Sequence, residues 1–380
     1  MGIRRRPGEP AGVYFHLPFC RHVCPYCDYP TVESGEGAPQ AYLAALHQEF
    51  DERAGGFEGR DLVSVYFGGG TPSMVSVDWI DELLARIRGR FGAVPDEVTL
   101  ESNPEDITAE KLAGWREAGV SRIILGVQSF QRAILRRLGR SHDPEEAERA
   151  LKMCLRQEGL SVGFDLLFGL EGQSAEDLEA DFRHLEAVGI PDTIHGYEYR
   201  PDAEDLPARL RRTAAKEVVE ETFRRLKESC SALGLQRTEV ASFSRAGEAS
   251  RQAELYATGG EYLGVGLAAA SFQIDAAGVA SFRHNAERLD VYLEDPAATH
   301  SVDRREPADY LVDRLTLALR HGAGCDRKVV DGQFEGALPQ RLRERGWAVV
   351  YRLATRGLLK RSGTRIRPTD RGLDLADGLA

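Results

Sequence analysis

The sequence predicts an α/β fold: a partial (β/α)6 TIM-type barrel, an added sheet segment and a small, mainly helical, winged-helix-like C-terminal domain. In the first half of the chain, short β-branched and aromatic runs alternate with amphipathic stretches, which is typical of parallel strands joined by helices. There are six such strand-helix units, fewer than a closed eight-stranded barrel requires. Polar or glycine-rich motifs follow nearly every strand, as expected where a partial barrel places a site at its carboxyl edge.

The six predicted strands are short and rich in β-branched and aromatic residues. They cover residues 13–17, 62–67, 97–101, 122–127, 161–168 and 193–199. The stretches between them have the apolar spacing of amphipathic helices. These predicted helices cover residues 39–54, 77–91, 108–118, 131–138 and 144–157.

The alternation stops after residue 200. A strong helix is predicted over 209–233, and sheet or loop additions over 238–243 and 262–272. Farther on, the pattern predicts helices over 308–319, 328–331 and 338–345 and a hairpin over 358–366. The predicted domains are a barrel (1–205), an extension that completes the active-site side (206–300) and a winged-helix-like domain (301–380).

Composition narrows the class of protein. Hydrophobic residues make up 42% and charged residues 29%, the balance of a globular protein. Acidic residues outnumber basic ones by 60 to 49, so we expect no nucleic-acid partner held by a general basic field. No apolar run approaches the roughly 18 to 20 residues that span a bilayer, and no secretory signal begins the chain. We therefore expect a cytoplasmic protein without a membrane partner, whose six cysteines stay reduced.

Three of those cysteines lie close together after the first predicted strand. Cys20, Cys24 and Cys27 occur in FCRHVCPYCDY with the spacing C-x3-C-x2-C. They could be incidental buried thiols, or they could bind zinc with His16 or His22 as a fourth ligand. A third interpretation is a 4Fe-4S cluster held by three thiolates, with one iron left open for chemistry.

The segment YFHLPFCRHVCPYCDY resembles the start of radical S-adenosylmethionine (SAM) enzymes, in the branch of the oxygen-independent coproporphyrinogen III oxidases and their haem-chaperone relatives. The resemblance continues in order through YFGGGTPS, ESNP, GVQSF, LGRSH, DLLFGLEGQS and GGEYLGVG, and it covers nearly the whole chain. It implies a 4Fe-4S cluster on the three cysteines, SAM on the open iron, and an electron donor such as flavodoxin or ferredoxin.

The resemblance also implies which residues contact SAM. Tyr14 would lie beside the cluster, and Glu101 would take the amino group of SAM. The glycine run would receive the methionyl end of SAM, since glycines allow close backbone approach. The remaining residues implied in cofactor binding are Gly68, Gly69, Gly70, Thr71, Gln128, Arg140 and Asp165. From the residues alone, Glu101 and Asp165 could equally form structural ion pairs with a neighbouring arginine.

Two groups of proteins in this branch carry characteristic residues that this chain lacks. The coproporphyrinogen oxidases carry a fourth cysteine where this chain has Tyr29. The haem chaperones carry a haem-binding HNxxYW motif, whereas Gln252, Ala253 and Ala257 replace its His, Asn and Trp here. An amide in place of imidazole removes an axial iron ligand, and methyl in place of indole removes a stacking surface.

These differences favour the class C radical SAM methyltransferases, which resemble the oxidases in binding two SAM molecules. The predicted activity is methylation of an sp2 carbon in a small molecule or modified peptide, for example a thiazole or indole in a peptide natural product. The second SAM is expected near Leu167 and Gln252. The base that removes the ring proton is sought in HGYEYRP, whose candidates are His195, Tyr197, Glu198 and Tyr199. The alternatives are a haem-chaperone-like haem-binding protein and a coproporphyrinogen III oxidase.

Overall fold

The computed structural model describes residues 2–4, 9–34, 38–201 and 206–376. Its strands in chain order are β1 (Pro10–Leu17), β2 (Phe19–Cys20), β3 (Val32–Glu33), β4 (Asp61–Gly69), β5 (Glu97–Ser102), β6 (Arg122–Gln128), β7 (Ser161–Phe168), β8 (Thr193–Glu198), β9 (Gln236–Arg237), β10 (Ser242–Ser244), β11 (Glu261–Val265), β12 (Ala270–Ile274), β13 (Ala280–His284), β14 (Ser301–Arg305), β15 (Cys325–Asp326), β16 (Leu359–Ser362) and β17 (Arg365–Pro368).

The α-helices lie between and after these strands. In chain order they are α1 (Gln40–Arg53), α2 (Val77–Phe91), α3 (Ala109–Ala118), α4 (Arg132–Leu138), α5 (Pro144–Leu155), α6 (Ala175–Val188), α7 (Lys216–Ala232), α8 (Arg251–Ala257), α9 (Leu289–Glu294), α10 (Pro307–Leu319), α11 (Arg327–Phe334), α12 (Gln340–Thr355) and α13 (Asp370–Asp374).

Twelve of the described strands form one sheet, in the order β14-β13-β12-β11-β1-β4-β5-β6-β7-β8-β10-β9. The six strands β1, β4, β5, β6, β7 and β8 are neighbours and parallel, as predicted. Their apolar outer faces pack on α1, α2, α3, α5 and α6 in the larger core, where the rings of Phe15 and Phe67 stack at 5.2 Å. The register aligns Gly126, Asp165 and His195 across β6, β7 and β8, so the polar side chains of Asp165 and His195 lie side by side on neighbouring strands.

Local sequence explains where several barrel helices begin. Asp143 and Glu146 form a reciprocal capping box at the start of α5. Ser174 and Asp177 do the same for α6. Both boxes follow loops that leave the carboxyl edge, so the helices start directly outside the site.

The C-terminal part packs against the extended end of the sheet. A second core joins β12 and β13 to α10, α11 and α12, and its largest aromatic side chains are Phe272, Tyr310, Phe334 and Trp347. The short strands β15, β17 and β16 form a separate sheet beside these helices. This is the winged-helix-like arrangement of helices and a hairpin that the sequence predicts.

The α/β fold class is confirmed, whereas some predicted elements differ in extent. The helix predicted over 209–233 begins at Lys216, after a single turn at Ala208–Leu210. The region 262–272, predicted as a sheet or loop addition, contains parts of the two strands β11 and β12, and β13 and β14 extend them as antiparallel neighbours. The domain bounds remain a prediction, and residues 202–205 beside the first of them lie outside the described residues. Among the described helices, none combines the length and the apolarity needed to cross a bilayer.

Candidate cofactor site

The three-cysteine loop leaves the carboxyl end of β1 and passes over the barrel. All three thiols are free. Thr71 Oγ1 donates to Cys20 Sγ at 3.3 Å, Arg140 Nη1 donates to Cys24 Sγ at 3.3 Å, and the Cys27 amide donates to the Cys24 carbonyl at 2.9 Å. The two bonds that end on sulfur stabilise negative charge there, which a metal-binding thiolate requires, whereas the backbone bond shapes the loop.

Without a cation, burial disfavours the charged form of these thiols. It raises the pKa of Cys27 to about 11 and also raises the pKa of Cys20. A bound metal reverses this balance because it stabilises the thiolate directly. In the described residues, no set of three or more His, Cys, Asp or Glu side chains is already gathered around one point.

His16 anchors the cysteine loop instead of serving as a free ligand. Its Nε2 lies 2.8 Å from the Pro30 carbonyl oxygen, so Nε2 carries the proton and donates. Its Nδ1 then accepts from the Tyr14 hydroxyl at 3.1 Å. Since both nitrogens are engaged and burial lowers the pKa of His16, the residue holds the loop in neutral form. This arrangement disfavours the interpretation in which His16 completes a zinc site.

The glycine run at the end of β4 lies directly beneath the cysteine loop. Gly69 has φ +113, and a Cβ there would lie 2.8 Å from the His16 ring. A Cβ at Gly70 would overlap the carbonyl oxygen of Pro18. The Gly70 amide donates to the Leu17 carbonyl at 2.9 Å, and the Gly69 amide bonds to Glu101. The glycines are thus required by the close passage of the loop, and these two amides already have partners.

A pocket of about 370 Å³ opens beside the loop at the carboxyl edge of the barrel, a size typical of small-ligand sites. The pocket brings together Cys27, Gly69, Gly70, Thr71, Glu101, Asn103, Gln128, Arg140, Asp165, Leu167, Tyr197, Glu198 and Tyr199, among other residues. Most of the residues expected to bind the cofactor are therefore neighbours. Six expected site residues do not line it: Tyr14, Cys20, Cys24, Gly68, His195 and Gln252.

Two buried carboxyl groups dominate the electrostatics of this pocket. Burial raises the pKa of Glu101 to about 7, although the Tyr66 hydroxyl donates to its carboxylate at 2.6 Å. Burial and the charge of Glu101 raise the pKa of Asp165, whose Oδ1 has no hydrogen-bond partner within the described ranges. Neither carboxyl group forms a structural ion pair there, so the alternative interpretation of these residues is not supported. Buried carboxyl groups without a cationic partner suit a cationic or hydroxyl-rich ligand.

Arg140 and Asn103 link the cysteine loop to the barrel strands. Arg140 Nη2 donates to Asn103 Oδ1 at 2.6 Å and to the Gly126 carbonyl at 2.7 Å. Asn103 Nδ2 donates to Thr71 Oγ1 at 3.3 Å. Sequence reasoning did not assign Asn103, although ESNP places it after β5, at the same edge as the other polar residues. Gln128 follows at a β-bulge with φ +72, a conformation that non-glycine residues rarely adopt and that often marks a functional position.

Two expected site residues have structural roles instead. Tyr199 is 2% exposed, and its hydroxyl donates to the Leu210 carbonyl, so it is not available as a base. Gln252 is 3% exposed at the start of α8, where it hydrogen-bonds to Ser64 and packs against Gly12. It does not line the pocket that Leu167 lines. The structure therefore does not bring Leu167 and Gln252 together in this pocket.

Tyr14 and Gly68 support the pocket from below. The Tyr14 ring packs against Tyr66 with centroids 5.9 Å apart. A Cβ at Gly68 would lie 2.9 Å from each of these rings. Tyr14 is therefore a neighbour of Tyr66 and His16, one layer beneath the pocket.

The chain is similar to known proteins over most of its length. The sequence profile of the radical SAM superfamily matches residues 14–185. The chain is 32% identical to the haem chaperone HemW of Escherichia coli K-12 over 263 residues, which cover 68% of this chain and 69% of that protein. It is 26% identical to HemW of Bacillus subtilis over 378 residues, which cover 94% and 95% of the two chains. The solved structure of coproporphyrinogen III oxidase (HemN) from E. coli matches the fold with a TM-score of 0.81 at 22% identity, covering 99% of this chain and 90% of that one.

These similarities correct the predicted activity. The sequence differences at residues 252, 253 and 257 favoured a methyltransferase of natural-product biosynthesis, but the two relatives compared above are haem chaperones. The methyltransferase prediction is wrong, and the base roles expected of His195, Tyr197, Glu198 and Tyr199 depend on it. The predicted branch is confirmed: the chain belongs to the radical SAM superfamily, in the branch of the HemW haem chaperones and the HemN-type coproporphyrinogen III oxidases.

Proposed function

We propose that this chain binds haem and delivers it, as the haem chaperones similar to it do, and that it also holds a 4Fe-4S cluster and SAM. The observation that carries this proposal is the 32% identity to a haem chaperone over 68% of the chain. Membership of the radical SAM superfamily implies the cluster and SAM. The three-cysteine loop and the polar pocket beside it support binding of both groups.

The chain has residues suited to hold both the 4Fe-4S cluster and SAM. Cys20, Cys24 and Cys27 supply three soft ligands on one loop, the donor chemistry of an iron-sulfur cluster. Glu101 and Asp165 are buried acceptors that match the ammonium and ribose hydroxyl groups of SAM. When bound, the cluster supplies an electron to SAM, and the donor of that electron is proposed to be a flavodoxin or ferredoxin. The chain itself orients SAM and excludes water around it.

One SAM per chain is the stoichiometry we propose. The pocket of about 370 Å³ has one set of buried polar acceptors. Gln252, expected beside a second SAM, is instead buried against Ser64 and outside this pocket. Equilibrium dialysis with labelled SAM measures the ratio directly, and two SAM molecules bound per cluster would contradict the proposal.

Haem titration of the anaerobically reconstituted protein tests haem carriage. We expect saturable binding of one ferric haem per chain, with a Soret band distinct from that of free haem. Absence of saturable binding would overturn the proposal. Conversion of coproporphyrinogen III to its decarboxylated product would instead make the chain an oxidase, although Tyr29 stands where those enzymes carry a fourth cysteine.

A further inference from the structure

The positive charge of this acidic chain is concentrated near its C-terminus. Residues 340–367 contain nine basic side chains and one acidic side chain, whereas the whole chain has 49 Lys and Arg against 60 Asp and Glu. The expectation of no nucleic-acid partner rests on the charge of the whole chain, and that value hides this contrast. A strong charge asymmetry along a sequence indicates a segment that binds a polyanion.

One face of α12 carries a row of four exposed arginines. Arg341, Arg345, Arg352 and Arg356 are spaced by four, seven and four residues, which places them along one side of the helix. Among the residues that the structure describes, none of these guanidinium groups forms an ion pair. Trp347, on the opposite side of α12, is buried in the second core, so the arginine row faces solvent.

The hairpin of β16 and β17 adds three exposed cations on one face. Lys360 lies directly opposite Arg367, and Ser362 lies directly opposite Arg365, so these four side chains point to the same side of the hairpin. Like charges at directly opposed positions destabilise a strand pair. An anion bound over this face removes that cost, because it attracts both charges.

Side-chain and backbone contacts hold the hairpin against the helices. Arg361 Cζ lies 5.0 Å from the centre of the Tyr351 ring of α12. At the tip of the hairpin, Thr364 Oγ1 donates to Asp326 Oδ2 at 2.9 Å, and the Arg327 amide donates to the Thr364 carbonyl at 2.9 Å. The two groups of cations therefore form one fixed unit. We call it the basic surface, and its members are Arg341, Arg345, Arg352, Arg356, Lys360, Arg365 and Arg367.

Acidic side chains of the same domain offset only part of this charge. Asp331 pairs with Arg343, which is not part of the basic surface, at 3.5 Å. Asp326 lies directly opposite Arg365 in the pairing of β15 with β17. Glu344 is exposed on α12. If Asp326 and Glu344 each offset one cation of the basic surface, five of its seven positive charges remain.

The composition of the basic surface fits a nucleic acid rather than a protein or a membrane. The centre of a protein interface is depleted of charged residues and enriched in aromatic ones, whereas here the exposed row is arginine and the aromatic Trp347 is buried. A helix that lies in a membrane surface presents a broad apolar face to it. The apolar face of α12 packs in the core, and α12 exposes two large apolar residues, Leu342 and Val349.

Duplex DNA is the nucleic acid that the geometry fits best. With 16 residues, α12 is about 24 Å long. The major groove of B-form DNA admits an α-helix, whereas the major groove of A-form RNA is too deep and narrow for side chains to read. The order α10, α11, α12 and hairpin is that of a winged helix, in which the second helix of the helix-turn-helix enters the groove.

We propose that the basic surface binds double-stranded DNA without base specificity, with α12 along the major groove and the β16–β17 hairpin against the neighbouring phosphate backbone. Its cations contact phosphates, which carry no base information. None of them lines the cofactor pocket. This binding is therefore independent of the proposed haem carriage, and the failure of either proposal leaves the other standing.

Fluorescence anisotropy of a short labelled duplex of mixed sequence, titrated with the full-length reconstituted protein, measures this binding. We expect saturation with a Kd of about 1–100 μM near physiological salt, and a slope of about −4 to −6 when log K is plotted against log salt. Arg345→Gln and Arg352→Gln should each reduce the size of the slope by about 1, since each removes one phosphate contact. The matched control is Arg288→Gln, which should leave the slope unchanged because Arg288 is an exposed arginine outside the basic surface that pairs with Asp290.

Lys360→Glu separates DNA binding from folding. A carboxylate opposite Arg367 forms a favourable cross-strand pair, so the thermal unfolding midpoint should stay the same or rise. The same change replaces an attraction to phosphate by a repulsion and should weaken DNA binding by about 10-fold. Unchanged DNA affinity in this stably folded variant would overturn the proposal.

Other polyanions test the choice of partner. Duplex RNA, polyglutamate and vesicles of phosphatidylcholine with phosphatidylglycerol are compared with duplex DNA at equal concentrations of negative charge. We expect DNA to bind several-fold more tightly than each of them. Equal or tighter binding of any of the three contradicts the assignment to DNA. So does a lack of saturable DNA binding at about 50 mM salt, or a slope that the two α12 variants leave unchanged.

Discussion

Arg140 Nη1 lies 3.3 Å from Cys24 Sγ, although 116 residues separate the two in sequence. The same guanidinium group donates to Asn103 and to the Gly126 carbonyl. One side chain therefore joins the cysteine loop to β5 and β6. Because a guanidinium presents several donors in a fixed plane, lysine cannot make the same set of contacts.

Arg140→Lys should weaken SAM binding by about 10-fold and lower the yield of bound cluster, because the loop loses its fixed link to the strands. Calorimetric titration with SAM and iron analysis measure the two effects. Arg132→Lys is the control, since Arg132 pairs with Glu145 on the outer surface. Unchanged SAM affinity and iron content in Arg140→Lys would contradict this role.

Cys24→Ala should abolish the cluster, with iron and sulfide falling to background and the charge-transfer absorption lost. Cys154→Ala provides the contrast. Cys154 is buried in α5, and burial raises its pKa to about 12, so it remains a protonated core residue. We expect the Cys154→Ala variant to keep its full iron content and to lose about 1 kcal/mol in the free energy of unfolding. Equal iron content in the two variants would refute the assignment of the loop.

Glu101→Gln should reduce SAM affinity by roughly 10- to 100-fold, since it removes a buried carboxylate that matches the ligand ammonium. Tyr66→Phe removes only the hydroxyl that donates to Glu101 and should have a smaller effect. Both variants are titrated with SAM after reconstitution. A larger loss from Tyr66→Phe than from Glu101→Gln would contradict direct contact between Glu101 and SAM.

The stability of the fold should depend on Glu49. Its buried carboxylate accepts from the Gly266 amide, Asn285, Tyr292 and Arg53. Burial raises its pKa in the folded protein from 4.5 to about 7 despite the charge of Arg53. The folded state therefore binds this proton more tightly than the unfolded state, and the resulting stability is complete below about pH 4.5 and lost as pH rises to about 7.

Urea unfolding of Glu49→Gln at several pH values tests this dependence. The difference in unfolding free energy between the unchanged protein and the variant should shrink by roughly 1–3 kcal/mol between pH 5 and pH 8, because only the former titrates at this position. Glu52→Gln, an exposed position on the same helix, is the control. A difference that is constant or grows with pH would contradict the prediction.

Local patterns predicted the barrel well because its strands and helices are defined by apolar periodicity. The polar residues after β4, β5, β6 and β7 could be grouped because parallel strands share one carboxyl edge. Pairing between distant segments could not be predicted. The placement of β11 beside β1 and the burial of Gln252 against Ser64 depend on contacts that no local pattern encodes. The function was misjudged because the differences at residues 252, 253 and 257 were given more weight than the similarity to haem chaperones over most of the chain.

The position of β1 has a consequence for biosynthesis. The first barrel strand pairs on one side with β4 and on the other with Glu261–Val265, far along the chain. During synthesis, β1 leaves the ribosome before residues 261–265, and one of its edges has no strand partner until that segment has also emerged. Closing such a long loop is slow, and an unpaired strand edge invites association with other chains. Nascent chains stalled before residue 261 are therefore expected to be the species most dependent on chaperones.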